Sequence, residues 1–513
     1  MMRITNAMMT SNTKNNININ KLNEDRLNTQ ISTGQVISRP SEDPVVAIRA
    51  LRLNTNLSQL TQYYKKNIPD SEAWLKVTET ALKQTNQLFT NIRENLTAGA
   101  SDQHTATDRQ KILEDLKNLR NELYSAGNAD YAERTVFTDY RTQKSLTFLE
   151  TDKDTGWNYM IHETFDVKEI GSINYISTYD SSDAYPEGTV EQNEIKRIRL
   201  SYDNINETGT SIDFKYYDGA TEQTQSVAIM STAGKTQEQI DAIYKTVVTD
   251  PDAAVLIPET GELLLGKTIA KTIQDGANKP DSKPAYLEYN KNRWKTGDLR
   301  PEHYFACYQD NQITGEKDYY NYDTKTDSTG KLVPDPTKPN FQNKNMEVEI
   351  SFNQKITINT HANEVYTHDI GRSIDELIKA TQDVVDADDR VTALSKRLAA
   401  GEDVQKELDA ANKESAFRKD KMQKMFASAL DTFGLYADRN NLAISNIGSI
   451  QSRLSITKER VADQLQSFKE LADANINAEL TESSIDFSSA KLALEAAQLA
   501  AGKIAQQTLL NYL

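Results

Sequence analysis

Proline placement constrains this chain more than any other feature. Three prolines stand at 40, 44 and 69, nine lie between Pro186 and Pro339, and residues 340–513 contain none. Proline breaks helix interiors, so a long proline-free tract permits long helices. The apolar spacing there demands them. Leu377, Val384, Val391 and Leu398 are seven apart, as are Ile447, Leu454, Val461 and Phe468, with Ile450 and Leu471 three residues after the first and last of these. A seven-residue repeat keeps a narrow apolar stripe on one helix face. Near the other end, Leu75, Leu82, Phe89 and Leu96 repeat the spacing. Leu53, Leu57, Leu60 and Tyr64 run at threes and fours, as do Ile112, Leu116, Leu119 and Leu123.

Between the helical ends the texture changes. "KRIRLSYDN", "SIDFKYYDG" and, from Met346, "MEVEISFNQKITINT" alternate apolar and polar residues and are rich in β-branched and aromatic types, which marks strands. Segments such as "DSSDAYPEG" and "VPDPTKPN" are turn material. The expected fold is mainly α: long terminal helices from both chain ends form a coiled-coil-like bundle, with a β-rich central insert. The expected partition is residues 1–42 with 475–513 as terminal assembly helices, 43–148 with 346–474 as the helical bundle, and 149–345 as the insert.

The terminal strips are thin. Ile4, Met8, Leu22, Leu27 and Ile31 stand among many Asn and Thr, while Leu492, Leu494, Leu499, Ile504, Leu509, Leu510 and Leu513 mark the other end. Isolated helices of this kind are marginal in water, so these residues are expected to pack between subunits. Their inner boundary is an elbow. Thr33 and Gly34 end the first helix, because glycine takes the left-handed conformation that closes a C-terminus. Pro40 falls in the loop. Asp43 and Pro44 restart the next helix, one capping free amides and the other suiting a first turn, where its missing N–H costs nothing. "ANINAEL", residues 474–480, is the matching break near the C-terminal end.

Composition narrows the chemistry. The formal charge of -16 argues against a nucleic-acid surface, which needs a basic footprint. No run approaches the roughly 18 apolar residues of a membrane span, and "MMRITNAMMTSNT" lacks the apolar core of a Sec signal. With Cys307 as the single cysteine, no intramolecular disulfide forms. Three enzymatic motifs compete with bland alternatives. Gly261–Thr268, "GELLLGKT", matches the phosphate-loop pattern with Lys267 and Thr268 in the ligand positions, but three leucines occupy the curl, so a strand after a turn glycine is favoured. His361 and Glu364 are too few for a zinc site. His303 and Cys307 lack any feature that would activate the thiol. No cofactor, metal or catalytic residue is assigned.

Five stretches together resemble the flagellin superfamily, and within it the hook-associated protein 3 family. They are "MRIT" at 2–5, "ISTGQVISRPSEDPVVA" at 31–47, "YAERTVFTDYRTQKSLTF" at 131–148, "ITINTHANEVYTHDI" at 356–370, and the ending "AQQTLLNYL". Pro40 to Pro44, Pro-Ser-Glu-Asp-Pro, is similar to the junction family's Ser-Asp-Asp-Pro, with Glu42 a conservative departure; a divergent flagellin filament subunit is the alternative. The resemblance implies a structural, non-enzymatic adaptor between flagellar hook and filament. It implies export through the flagellar type III apparatus to an extracellular site, and terminal segments that order on docking. It also implies self-association in a helical layer, with other hook-associated proteins, flagellin and an export chaperone on the C-terminal segment as partners. The charged stretch within 377–433 is longer than the family pattern requires.

Overall fold

The computed structural model describes residues 6–510 except 102–105, 140, 151–156, 178–189, 191, 207–208, 312–316, 320–323, 327–331 and 335–344. In chain order the first helices are α1 (Asn6–Thr33), α2 (Pro44–Gln62), α3 (Ile68–Gly99) and α4 (Ala106–Gly127). A tight hairpin of β1 (Asp130–Tyr131) and β2 (Arg134–Thr135) follows. The middle holds β3 (Trp157–Phe165), β4 (Gly171–Ile176), β5 (Gln192–Arg199), β6 (Ser211–Asp218), β7 (Thr221–Ile229), α5 (Gln237–Thr249), β8 (Ala254–Ile257), β9 (Glu262–Leu265), α6 (Lys267–Ala277), β10 (Ala285–Lys291), β11 (Ala306–Asn311), β12 (Lys317–Tyr319), β13 (Thr324–Thr326) and β14 (Leu332–Pro334). The chain then forms β15 (Glu347–Ser351), β16 (Gln354–Thr357), α7 (Ala362–Val365), α8 (His368–Ala399), α9 (Gln405–Ile476) and α10 (Leu480–Leu510). Long helices at both ends around a strand-rich middle are the expected fold class.

The chain divides into two compact units: residues 1–72, 348–356 and 452–513 form one, and residues 73–347 and 357–451 the other. In the smaller unit α1 and α10 pack along each other. A five-residue π-helical turn, Tyr63–Asn67, separates α2 from α3. Its cause is Pro69, which has no N–H to give and whose ring crowds the preceding turn; one wider turn, with Ile68 N–H bonded to the Tyr63 carbonyl, lets the helix pass the proline. The β15–β16 hairpin clasps this turn: Asn67 Nδ2 donates to the Glu349 carbonyl at 2.7 Å, and Phe352 meets Tyr63 edge-on at 5.8 Å.

In the larger unit the heptad stripes are buried as their spacing requires. Leu75, Leu82, Phe89 and Leu96 are closed from solvent, and so are Leu116, Leu123, Leu377 and Val384. Phe89 meets Phe433 at 6.3 Å, and Asn440 Nδ2 reaches across to the Leu82 carbonyl at 2.8 Å. Gly99 is required here, since a Cβ would stand 2.4 Å from the Phe426 ring. Along α8 the stripe fades, Val391 and Leu398 being only half-buried, because the charged α8–α9 hairpin carries fewer neighbours toward its tip. Farther along α9, in the smaller unit, Leu471, expected on the stripe, is exposed.

A ten-stranded sheet in the order β12-β11-β3-β10-β6-β7-β8-β9-β5-β4 forms the insert, antiparallel except where β7 and β8 run parallel across α5. Two helices interrupt the expected β texture. Thr236 and Gln239 make a reciprocal capping box that starts α5, and the parallel pair needs such a crossover. α6 begins where a strand was expected to continue through Lys267 and Thr268, because Gly266 breaks the strand and Lys267–Ala277 buries Ile269, Ala270 and Ile273 on one face.

Candidate assembly surface

Two chain breaks form one structure. Gly34, at φ +69°, closes α1 with its N–H on the Gln30 carbonyl at 2.8 Å. The chain leaving it pairs with the break between α9 and α10: Val36 N–H donates to the Ile476 carbonyl at 2.8 Å, and Ala478 N–H returns to the Gly34 carbonyl at 2.9 Å. Gln30 Nε2 adds a 2.6 Å bond to the Val36 carbonyl. Pro40 opens a turn closed by Glu42 N–H on the Arg39 carbonyl at 3.0 Å, the favoured position for proline in such turns. Glu42 accepts from both Ser38 N–H and Ser38 Oγ at 2.9 Å, and these bonds hold its carboxyl below the usual range. Asp43 Oδ1 then accepts from Val45 N–H at 2.9 Å and Val46 N–H at 3.1 Å, while Pro44 takes the first helical position. Thr33, Gly34, Pro40, Asp43 and Pro44 therefore sit together in an ordered joint.

The terminal residues sort differently. Leu27 and Leu494 are already buried within the chain, and Ile31 is half-buried, so these three contribute to the α1–α10 pair itself. Met8, Leu22, Leu492 and Leu499 are exposed, Leu22 and Leu499 each by 70%. The Ile4 and Leu513 calls lie outside the described residues, and the side chains of Ile504, Leu509 and Leu510 are likewise outside them. Met9, Ile19, Leu480 and Ile485 extend the exposed apolar surface of the pair. Sequence reasoning missed a second exposed row on α2, made of Val45, Ile48 and Leu51. Its three-residue spacing was a usable signal, because it lies off the Leu53, Leu57 and Leu60 run. A single helix pair hides one narrow face of each helix, and large aliphatic groups on the others keep their water-exposed area.

Packing holds the three leucines of the phosphate-loop-like segment and Cys307. Leu263, Leu264 and Leu265 are buried in β9. Gly266 N–H is bonded to the Ala253 carbonyl at 2.8 Å and Thr268 N–H to the Pro251 carbonyl at 3.1 Å, so these amides do not curl around a phosphate. Gly266 is there because a Cβ would stand 2.2 Å from the Pro251 carbonyl oxygen. Cys307 is fully buried in the sheet core. His361 Nδ1 lies 2.6 Å from Asp139 Oδ1, which also accepts from Asn359 Nδ2 at 2.9 Å, while Glu364 is exposed. Among the described residues no group of three or more His, Cys, Asp or Glu could hold a metal, and no helix is long and apolar enough to cross a membrane. The His361–Asp139 contact joins two of the stretches that carry the resemblance. Phe137 and Tyr366 pack edge-on at 5.0 Å beside it, and the Tyr366 hydroxyl shares a 2.5 Å hydrogen bond with Thr85.

The bacterial flagellin N-terminal helical region matches residues 4–142. This part of the chain is similar to that helical region. The chain also resembles flagellar hook-associated protein 3: it is 24% identical to that protein of Escherichia coli K12 over 203 residues, covering 38% of this chain and 63% of the relative. A flagellin of Clostridium tyrobutyricum is 26% identical over 145 residues, covering 28% of this chain and 36% of the relative. The match thus spans less than two thirds of each relative's length. Among solved structures, flagellar hook-associated protein 3 of Legionella pneumophila aligns over 82% of this chain and 97% of its own, at 7% identity and a TM-score of 0.30.

Proposed function

We propose that this chain is a structural adaptor that joins bacterial flagellar hook to filament by helix packing between subunits. One observation carries the reading: α1 and α10, held together by the paired breaks at 34–36 and 476–478, leave large aliphatic side chains exposed on both helices. Such a surface is stabilised when neighbouring copies or related subunits cover it. In this reading residues 1–42 and 475–513 form the inner layer, 43–148 and 346–474 the surrounding bundle, and 149–345 face outward. The elbow lets the inner rod and the bundle take separate orientations where two differently packed tubes meet. Travel through the flagellar type III apparatus, with a chaperone on the C-terminal segment, completes the proposal.

Deleting residues 484–513 tests it. The truncated chain is expected to stay soluble and helical while its junction with hook and filament proteins is lost; an unaltered junction after that deletion overturns the reading. The similarity to a flagellin supports a second reading, a divergent filament subunit. Labelling isolated flagella separates the two: a thin band at the distal end of the hook fits the adaptor, and label along the whole filament fits the flagellin.

A further inference from the structure

Within the larger unit a cleft of about 1000 Å³ opens between α8 and α9 on one side and β4, β5 and β9 on the other. Charged side chains of both signs line it, but they are unequally satisfied. Arg197 binds both Glu262 and Glu376, and Glu376 also takes Arg199 Nη1 at 2.8 Å. Asp383 is held by Arg418 Nη1 at 3.0 Å. Glu262, Glu376 and Asp383 are therefore engaged by guanidinium groups. Lys379 and Lys421 are not: among the described residues neither ammonium has a hydrogen bond or an ion pair within 4 Å. Lys379 is exposed at the rim, while Lys421 is half-buried within the cleft. Burial pushes the Lys421 ammonium below the usual lysine range, and the like charges of Lys379 and Arg197 add to that against the pull of Asp383 and Glu262. A half-buried ammonium whose nearest opposite charges, Asp383 and Glu262, stay beyond ion-pair distance gains little direct compensation for its burial, and an anion entering the cleft adds to that compensation. The wall also offers a flat aromatic surface. Tyr175 stacks on Tyr244 at 4.0 Å, and the Tyr244 hydroxyl donates to Glu262 at 2.7 Å, which fixes the pair.

We propose that this cleft binds a small acidic ligand, its oxyanion group held between Lys379 and Lys421 and its ring set against Tyr175. A sugar acid and a free phosphate share the oxyanion chemistry; only the sugar brings a ring. The site is independent of the adaptor reading, since none of its residues lies in α1 or α10.

Calorimetric titration of the full chain with galacturonate and with inorganic phosphate, at constant ionic strength against a sodium chloride control, tests the proposal. Saturable binding of either is expected, weakened at least tenfold in Lys421→Met and in Lys379→Met and unchanged in Lys413→Met, an exposed position on α9 outside the cleft lining. Tighter binding of galacturonate than of phosphate, with the difference lost in Tyr175→Ala, assigns the ring contact. Phosphate binding as tightly as galacturonate overturns the ring contact. Should Lys421→Met fail to fold, Lys379→Met still decides, because its side chain supports no core. The absence of saturable binding for both probes, or binding equal to wild type in Lys379→Met, overturns the proposal.

Discussion

The bundle of the larger unit and the α1–α10 pair are built from the same kind of apolar residue and have opposite fates. Leu82 and Leu96, on α3, are fully buried, whereas Leu22 on α1 and Leu492 on α10 are exposed by 70% and 66%. Helix propensity does not explain the difference, since leucine favours helix equally at all four sites. The number of neighbouring elements does. In the larger unit α3, α4, α8 and α9 and the segment around Phe137 and Tyr366 close on shared positions, as the Thr85 bond to the Tyr366 hydroxyl and the Asn440 bond to the Leu82 carbonyl record. In the terminal pair each helix has one long partner and an aliphatic surplus. The comparison separates residues that complete a fold from residues available to complete an assembly.

Truncating the bundle stripe breaks the comparison most severely. Leu82→Ala or Phe89→Ala removes a fully buried side chain from a closed site and is expected to cost about 2–5 kcal/mol of unfolding free energy, measured by denaturant titration of the purified chain. A loss below about 1 kcal/mol would show that the bundle is no better packed than the termini.

Acid titration gives an effect of a few kcal/mol in the insert. Burial raises the Glu262 carboxyl, but Arg197, Lys379 and the hydroxyls of Tyr244 and Thr260 outweigh it and hold the group at about 2, against an ordinary 4.5. A carboxyl lowered in the folded state binds fewer protons there than in the unfolded chain. Its stabilisation is thus fully present above about pH 4.5 and lost as the pH falls toward 2. Thermal melts across that range are expected to show a steep acid limb, flattened in Glu262→Gln; an equal limb in both proteins would exclude Glu262 as its source.

Capping at the elbow ranks next. Asp43→Ala deprives Val45 and Val46 of their acceptor and is expected to cost about 1 kcal/mol at the start of α2, read as faster amide exchange over residues 45–48. Unchanged exchange there would mean that Pro44 and the paired breaks suffice to start the helix.

These elements also mark how far the sequence could be read. Heptads, the Gly34 stop and the Asp43–Pro44 restart were legible because each rests on chemistry local to a few residues. The pairing of the two breaks was only half legible: both were visible, but the Val36 to Ile476 bond joins positions 440 residues apart and depends on the whole path between them. α5 and α6 were hidden because each is short, 13 and 11 residues, and lies in a tract whose prolines and alternating segments point to strands and turns. Leu27 and Leu494 were grouped with the assembly residues because a thin apolar strip does not state which of its members face the partner helix. The placement of Lys379 and Lys421 in one cleft left no trace, since a charge in a charged segment reads as solvated.

The smallest expected effect sharpens the comparison furthest. Leu492→Ser changes a side chain that is already two-thirds in water, so folding of the lone chain buries little of it and its loss removes little. Surface substitutions of this kind fall within about 0.5 kcal/mol. Under the proposed adaptor role the same substitution weakens assembly, because there the neighbouring subunit covers the position. The two quantities are separable: denaturant midpoints of the dilute chain report the first, and incorporation into hook–filament junctions reports the second. A midpoint shift equivalent to 2 kcal/mol or more would mean that Leu492 is covered within the single chain. The contrast between a closed bundle and an open terminal pair would then be lost, and with it the reason to assign the pair to assembly.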